Sequence, residues 1–281
     1  MRTPVPFFAS SAGTPLHYDL RGRGPLLVCQ PGGPARPASY LETLGGLDRH
    51  RTLVLLNPRG VGQSAAAGHY RFTDLADDLE ALRRHLDVDT LDLLGHSAGA
   101  LPVAVYAARH PSRVRRLVLL TPTRRLVPVR DGETDRETYA KQLFGQEPWL
   151  GDALAAVREM ASATTEEEVD ALTDRMMPLF YGRWDAAARA HAFDVEGTAY
   201  APVASAGFDD PAFDLATFGA VTAPVSLLVG DRDWNVGSRA PEVMAGWFPK
   251  AEIAWLRGCG HFPWVDDPRQ TATAVLDVVS P

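Results

Sequence analysis

Six short apolar runs punctuate the chain, at residues 26–30, 53–57, 91–95, 117–121, 225–230 and 252–256. They consist mostly of Leu and Val, and each ends at or near a polar residue or Gly. Runs of this length without alternation predict strands buried on both faces, as in a parallel sheet. Between them the pattern changes to a helical period. In 72–87 the apolar residues Leu75, Leu79, Leu82 and Leu86 recur every three or four positions, with Thr73 or Asp74 as the N-cap. Segment 98–110 follows a strand directly and stops at Pro111, and 238–247 and 268–279 complete the helices. Pro102 removes a hydrogen bond in the second turn of the second of these helices and predicts a local kink. Segments 7–10 and 16–20, on either side of Gly13-Thr14, predict an antiparallel hairpin at the sheet edge. The expected fold class is therefore α/β: a mostly parallel, eight-stranded, doubly wound sheet flanked by helices.

Residues 122–220 break this rhythm. They hold no comparable apolar run, but helical patterns occur at 134–144, 152–162, 165–181 and 184–193. This predicts a core in two parts, 1–121 and 221–281, with 122–220 inserted as a helical cap over the C-terminal edge of the sheet. Open α/β sheets bind ligands at that edge. Charge supports the division. The insert carries 9 basic against 18 acidic residues, while the other 182 positions carry 19 against 17.

The 281-residue chain has a net charge of −7, which argues against nucleic acid or an anionic membrane surface as partner. No apolar run approaches the roughly 18 residues a membrane helix needs. The first ten residues do not read as a signal peptide. Two cysteines, Cys29 and Cys259, cannot build a disulfide framework, and a cytoplasmic setting is expected. No H-E-x-x-H, Cys/His cluster or dinucleotide fingerprint occurs, so neither a metal nor an organic cofactor is expected.

Gly95-His96-Ser97-Ala98-Gly99 joins the run 91–95 to the following helix. A G-x-S-x-G string is a weak signal alone. Placed between a strand and a helix and surrounded by small residues, it describes a strained turn that exposes the serine hydroxyl at the sheet edge. Ser97 is therefore the candidate nucleophile. A serine needs a base and an orienting acid. Two loops at the same edge supply them, Gly230-Asp231-Arg232-Asp233 and Gly258-Cys259-Gly260-His261. Asp233, deeper in its loop than Asp231, is the preferred acid, and His261 is the base. His96 should point away from the hydroxyl in a structural role. Gln30-Pro31-Gly32-Gly33-Pro34 can aim a backbone amide at an oxyanion, with Gly33 and Ala98 as the donor pair. The turn Asn57-Pro58-Arg59-Gly60-Val61-Gly62-Gln63-Ser64 is expected to brace these loops.

Taken together these residues resemble the α/β-hydrolase superfamily, and within it the proline iminopeptidase-like serine hydrolases (peptidase family S33 type). Pro31-Gly32-Gly33-Pro34 is similar to that branch's H-G-G-P loop, and the turn 57–64 to its D-x-R-G-x-G-x-S. The resemblance covers the chain outside the cap and favours Asp233, because the family's acid lies three residues past the Gly. Pro31, Asn57 and Ala98 depart from the pattern, where the branch has His, Asp and often Trp or Tyr. The resemblance implies a Ser-His-Asp hydrolase that holds a substrate amine with cap carboxylates. Glu196 loosely matches a W-E-G segment of the branch, with Asp194 and Asp185 nearby; Trp184 and Tyr181, with Phe180 and Phe193, either line a pocket or pack the cap. The expected function is an aminopeptidase or amidase acting on short peptides or other small substrates. An esterase, lactonase or thioesterase acting on a small metabolite is the alternative, and a non-catalytic binder on the same scaffold comes third.

Overall fold

A computed structural model describes residues 6–128, 136–194 and 201–280. Eight strands form one sheet: β1 (Phe7–Ala9), β2 (Pro15–Gly22), β3 (Leu26–Gln30), β4 (Thr52–Leu56), β5 (Leu91–His96), β6 (Val114–Leu120), β7 (Val225–Gly230) and β8 (Ala251–Leu256). Their spatial order is β1-β2-β4-β3-β5-β6-β7-β8. β1 pairs antiparallel with β2, and β2 antiparallel with β4; every later pairing is parallel.

The apolar runs are continuous because both faces of the sheet are covered. Along β3, Val28 packs on one face with Val54, Leu93, Leu117 and Leu227, while Leu27 and Cys29 pack on the other with Leu53, Leu94, Val118 and Leu228. Helices α1 (Phe72–His85) and α2 (Ala100–Arg109) cover the first face. The second is covered by residues 38–41 and by a C-terminal helix that carries Val275 and Val279. Truncating one of these buried Leu residues to Ala would cost about 2–5 kcal/mol.

One helix-terminus expectation needs correction. The N-cap of α1 is Arg71, not Thr73 or Asp74; Asp74 is the third helical residue, and its carboxylate takes the Arg71 N–H at 3.1 Å. The acidic partner at the third helical position carries the stronger sequence signature of a helix start. Pro102 is the sixth residue of the continuous helical run formed by the Ser97–Gly99 turn and α2, so its ring nitrogen leaves a carbonyl of the preceding turn without an intrahelical donor.

Between β6 and β7 the chain makes α3 (Arg136–Phe144), α4 (Leu150–Glu159), α5 (Glu166–Met176), α6 (Ala186–Ala192) and the short α7 (Pro202–Ala206). This insert has its own apolar cluster of Ala140, Phe144, Leu150, Ala153, Leu154 and Leu179. Trp234, from the loop after β7, completes that cluster. Beyond β7 come α8 (Ala240–Ala245), β8, α9 (Pro263–Asp266) and α10 (Pro268–Val279). Among the described residues no helix is long and apolar enough to cross a membrane.

Candidate active site

Ser97 follows β5 with φ at +52°, a left-handed conformation that L-residues rarely adopt. The chain reverses there into a 3-10 turn (Ser97–Gly99) that leads into α2. The turn is tight enough that a Cβ on Gly32 would lie 2.7 Å from the Ser97 Cβ and 2.8 Å from the His96 carbonyl oxygen. Only glycine lets the Gly-rich loop approach the elbow this closely.

The loops after β7 and β8 bring Asp233 and His261 to the same point. His261 Nε2 lies 2.9 Å from Ser97 Oγ, and His261 Nδ1 lies 2.9 Å from Asp233 Oδ2. Asp233 is fully buried and His261 is 4% exposed. A buried carboxylate only accepts, so Nδ1 carries the ring proton and Nε2 offers its lone pair to the serine hydroxyl. The second carboxylate oxygen, Oδ1, takes the amides of Asn235 and Val236 at 2.9 and 3.0 Å, which fixes its orientation. The Asn235 side-chain nitrogen lies 3.4 Å from Nε2. Asp231 is exposed and accepts the Gly258 N–H at 2.7 Å, so it ties one loop to the other and does not face the imidazole.

The backbone of His261 is held as firmly as its ring. Its N–H donates to the Phe180 carbonyl at 2.7 Å, and its carbonyl accepts from Thr121 Oγ1 and His96 Nε2, both at 3.0 Å. Asp266 accepts the amides of Gly260 and Gly182 at 2.7 and 2.9 Å, and burial pushes its carboxyl up to about 6. Gly182 sits so close to this loop that a Cβ there would fall 1.9 Å from the Gly258 carbonyl oxygen. The insert therefore meets the His261 loop along a seam of backbone on backbone.

In the Gly-rich loop, the Gly32 amide donates to Tyr40 Oη at 2.7 Å. No described hydrogen bond uses the next amide, that of Gly33, and the Ala98 amide starts the turn beside it. The 57–64 turn is tied to other parts of the core, and no described hydrogen bond links it directly to the loops carrying Ser97, Asp233 or His261. Asn57 Oδ1 accepts the Ala38 amide at 2.8 Å, and the Arg59 guanidinium forms a buried pair with Asp78.

The insert residues are placed differently. Tyr181 is buried against Phe262, ring centroids 5.0 Å apart, and its hydroxyl is 2.8 Å from His191 Nδ1, so it packs the insert onto the core. Trp184 is half-buried against Tyr181 and Phe193. Asp194 is exposed; burial lowers the pKa of the Arg36 guanidinium, and the charge of Asp194 is the least of the effects that oppose this. Asp185 caps α6 through the Ala188 amide. Glu196 lies outside the described residues. The phenyl ring of Phe180 stands 5.9 Å from the His261 imidazole.

Sequence reasoning missed Tyr40, Thr121, Asn235 and Asp266. Tyr40 and Thr121 sit in no motif, and their contacts join positions 56 and 140 residues apart. Only Asp266 had a local signal, as an acidic residue five positions past His261.

A model of the alpha/beta hydrolase fold family matches residues 25–268. The N-formylmaleamate deformylase of Pseudomonas putida is 28% identical over 264 residues, covering 92% of this chain and 90% of that one. A proline iminopeptidase of Heyndrickxia coagulans is 28% identical over 108 residues, 37% of this chain and 38% of its own. Some other curated relatives, a decarboxylase of Shewanella oneidensis among them, also match over less than half of their length. Among solved structures, the esterase RhEst1 of Rhodococcus sp. ECU1013 superimposes with a TM-score of 0.75 at 23% identity, over 99% of both chains. From its eight-stranded sheet, its strained serine turn and this family match, the chain is an enzyme of the alpha/beta hydrolase fold family.

Proposed function

We propose that this enzyme is a serine hydrolase working through an acyl-enzyme, and that its substrate is a small amide. The observation that carries the reading is the line from Asp233 through His261 to Ser97, with both contacts at 2.9 Å in a buried setting. In the first step Ser97 Oγ attacks the substrate carbonyl while His261 Nε2 takes the hydroxyl proton. Asp233 keeps the imidazole in the required tautomer and offsets its positive charge. The amides of Gly33 and Ala98 stabilise the oxyanion, each typically contributing about 3 kcal/mol in the transition state. Collapse expels the amine, protonated from Nε2, and leaves the acyl-serine. Water, deprotonated by the same nitrogen, then releases the acid and restores Ser97.

The amide class is supported by the deformylase that matches along nearly the whole chain and by the proline iminopeptidase relative. An aminopeptidase is the specific form of this reading, with residues 122–220 as the cap and Asp194 or Glu196 taking the substrate amine. The second reading, an ester or lactone substrate, is favoured by Ala98, whose methyl stands where aminopeptidases of the resembled branch often carry Trp or Tyr.

Fluorophosphonate should label the wild type and leave Ser97→Ala unmarked; a folded wild type that resists the probe overturns the serine mechanism and favours a binding role. Proline and alanine p-nitroanilides, assayed beside short p-nitrophenyl esters, separate the substrate classes. Turnover of esters alone, unchanged in Glu196→Gln, overturns the aminopeptidase reading.

A further inference from the structure

His96 immediately precedes the candidate nucleophile, yet its ring faces away from the hydroxyl and is buried. Both ring nitrogens are engaged. Nε2 lies 3.0 Å from the carbonyl oxygen of His261, and Nδ1 lies 2.6 Å from Tyr40 Oη. A carbonyl can only accept, so Nε2 carries the proton and Nδ1 is the acceptor. The Tyr40 hydroxyl must then donate to His96, which leaves its oxygen to accept the Gly32 amide at 2.7 Å. For a neutral imidazole, valence then fixes every donor in the chain Gly32 N–H to Tyr40 O–H to His96, and His96 N–H to the His261 carbonyl. Burial, followed by the nearby charge of His261, holds the His96 imidazole well below its usual range, in keeping with the neutral ring this order requires.

The two ends of this chain matter for chemistry. One end is the backbone beside Gly33, the candidate oxyanion donor; the other is the backbone of the candidate general base. We propose that Tyr40 and His96 act as a positioning pair that holds the oxyanion loop and the general base in register with each other. This rests on the serine-hydrolase reading above. Neither residue touches the reacting atoms. Each acts through a peptide group whose displacement by a fraction of an ångström would misalign two separate parts of the site.

The pair also extends into the insert. The Tyr40 carbonyl accepts His191 Nε2–H at 2.9 Å, and His191 Nδ1 accepts the Tyr181 hydroxyl at 2.8 Å. Tyr181 adjoins Phe180, whose carbonyl takes the His261 amide. The His261 loop is thus approached from two sides by one connected set of buried hydrogen bonds. Buried networks of this kind act as units, and losing one member disturbs its partners.

Tyr40→Phe keeps the ring and deletes only the hydroxyl, so it is the sharpest probe. Oxyanion contacts form fully only in the tetrahedral state, so the loss should fall on kcat. With p-nitrophenyl acetate as substrate, kcat is expected to fall about 10- to 100-fold while KM stays within about threefold. His96→Gln should shift kcat in the same direction, and the double variant should be little worse than either single one. A structural residue would instead lower the melting temperature with kcat per folded molecule unchanged. A readout independent of turnover is the proton NMR signal of the His261 Nδ1–H bonded to Asp233, which should shift or broaden in Tyr40→Phe. If Tyr40→Phe fails to fold, His96→Gln carries both measurements. The proposal is overturned if kcat stays within twofold and the imidazole signal is unmoved, or if the two substitutions act additively. A wild type that shows the NMR change on substitution yet never reacts with fluorophosphonate would instead sink the serine-hydrolase reading and leave the coupling standing.

Discussion

The C-terminal edge of the sheet and the outer helices of the insert are held together by different forces. At the edge the contacts are close and mostly involve the backbone. Gly32 lies against Ser97, Gly182 against Gly258, and the His261 peptide is hydrogen-bonded on both sides. Among the outer helices, α4 and α5 are joined by Arg175, whose guanidinium reaches Asp152 and Glu159 in exposed pairs, and Glu137 of α3 is bridged by Lys141 and Arg158. Exposed pairs of this kind contribute little to stability because water screens them and ordering long side chains costs entropy. The comparison teaches where geometry is specified. The edge tolerates almost no added atom, whereas the outer insert can change its surface and keep its helices.

Five substitutions or conditions test that contrast, from the largest effect to the smallest. Ser97→Ala should lower turnover by about 10^4-fold or more while leaving the melting curve in place. Activity retained within tenfold would show that the elbow is not the reacting centre. Gly182→Ala puts a methyl 1.9 Å from the Gly258 carbonyl oxygen, where neither side is a flexible side chain. It should cost about 3 kcal/mol by denaturant unfolding and depress kcat together with stability. An unchanged midpoint would mean that the seam yields and the contrast is overstated.

Acid should act on the buried histidines next. Burial holds the His191 imidazole down at about 4, so the unfolded chain takes up its proton first as pH falls below about 6.5. Stability should therefore drop between pH 6.5 and 4, by about 3 kcal/mol from this residue alone, and His191→Gln should flatten that slope in urea titrations. Asp266 works in the opposite sense. Its raised carboxyl keeps a proton in the folded state up to about pH 6 that the unfolded chain has already released, so it subtracts stability as pH rises through that window. Asp266→Asn mimics the protonated form and should remove this opposing slope, a change of about 2–3 kcal/mol. A slope unaltered in Asp266→Asn would argue against the buried carboxylate as its source. The smallest effect belongs to Arg175→Gln, which should leave both the melting temperature and kcat where they were; a marked loss would show that the exposed pairs matter more than solvent screening permits.

Much of this arrangement was legible before any coordinates. The sheet could be read because a strand buried on both faces must be apolar at every position, and runs such as 26–30 and 225–230 leave few alternatives. Ser97 was legible because a strained turn demands small neighbours, and Asp233 and His261 because each follows its own strand run by a few residues. Helix ends were less so. Arg71 as an N-cap depends on where the hydrogen-bond ladder begins, which composition does not encode. Tyr40, Thr121 and Phe180 were silent for a further reason. They act through one hydroxyl or one carbonyl across long stretches of chain, and neither periodicity nor motif records such a contact.

The carbonyl of Phe180 bonded to the His261 amide has an implication for anyone recombining this scaffold with its relatives. A hybrid that imports a foreign helical segment between β6 and β7 would also import the peptide on which the imidazole rests. Splice points placed outside residues 180–182, so that these three stay native, should preserve the rate; a graft that replaces them should lower it by displacing the His261 peptide.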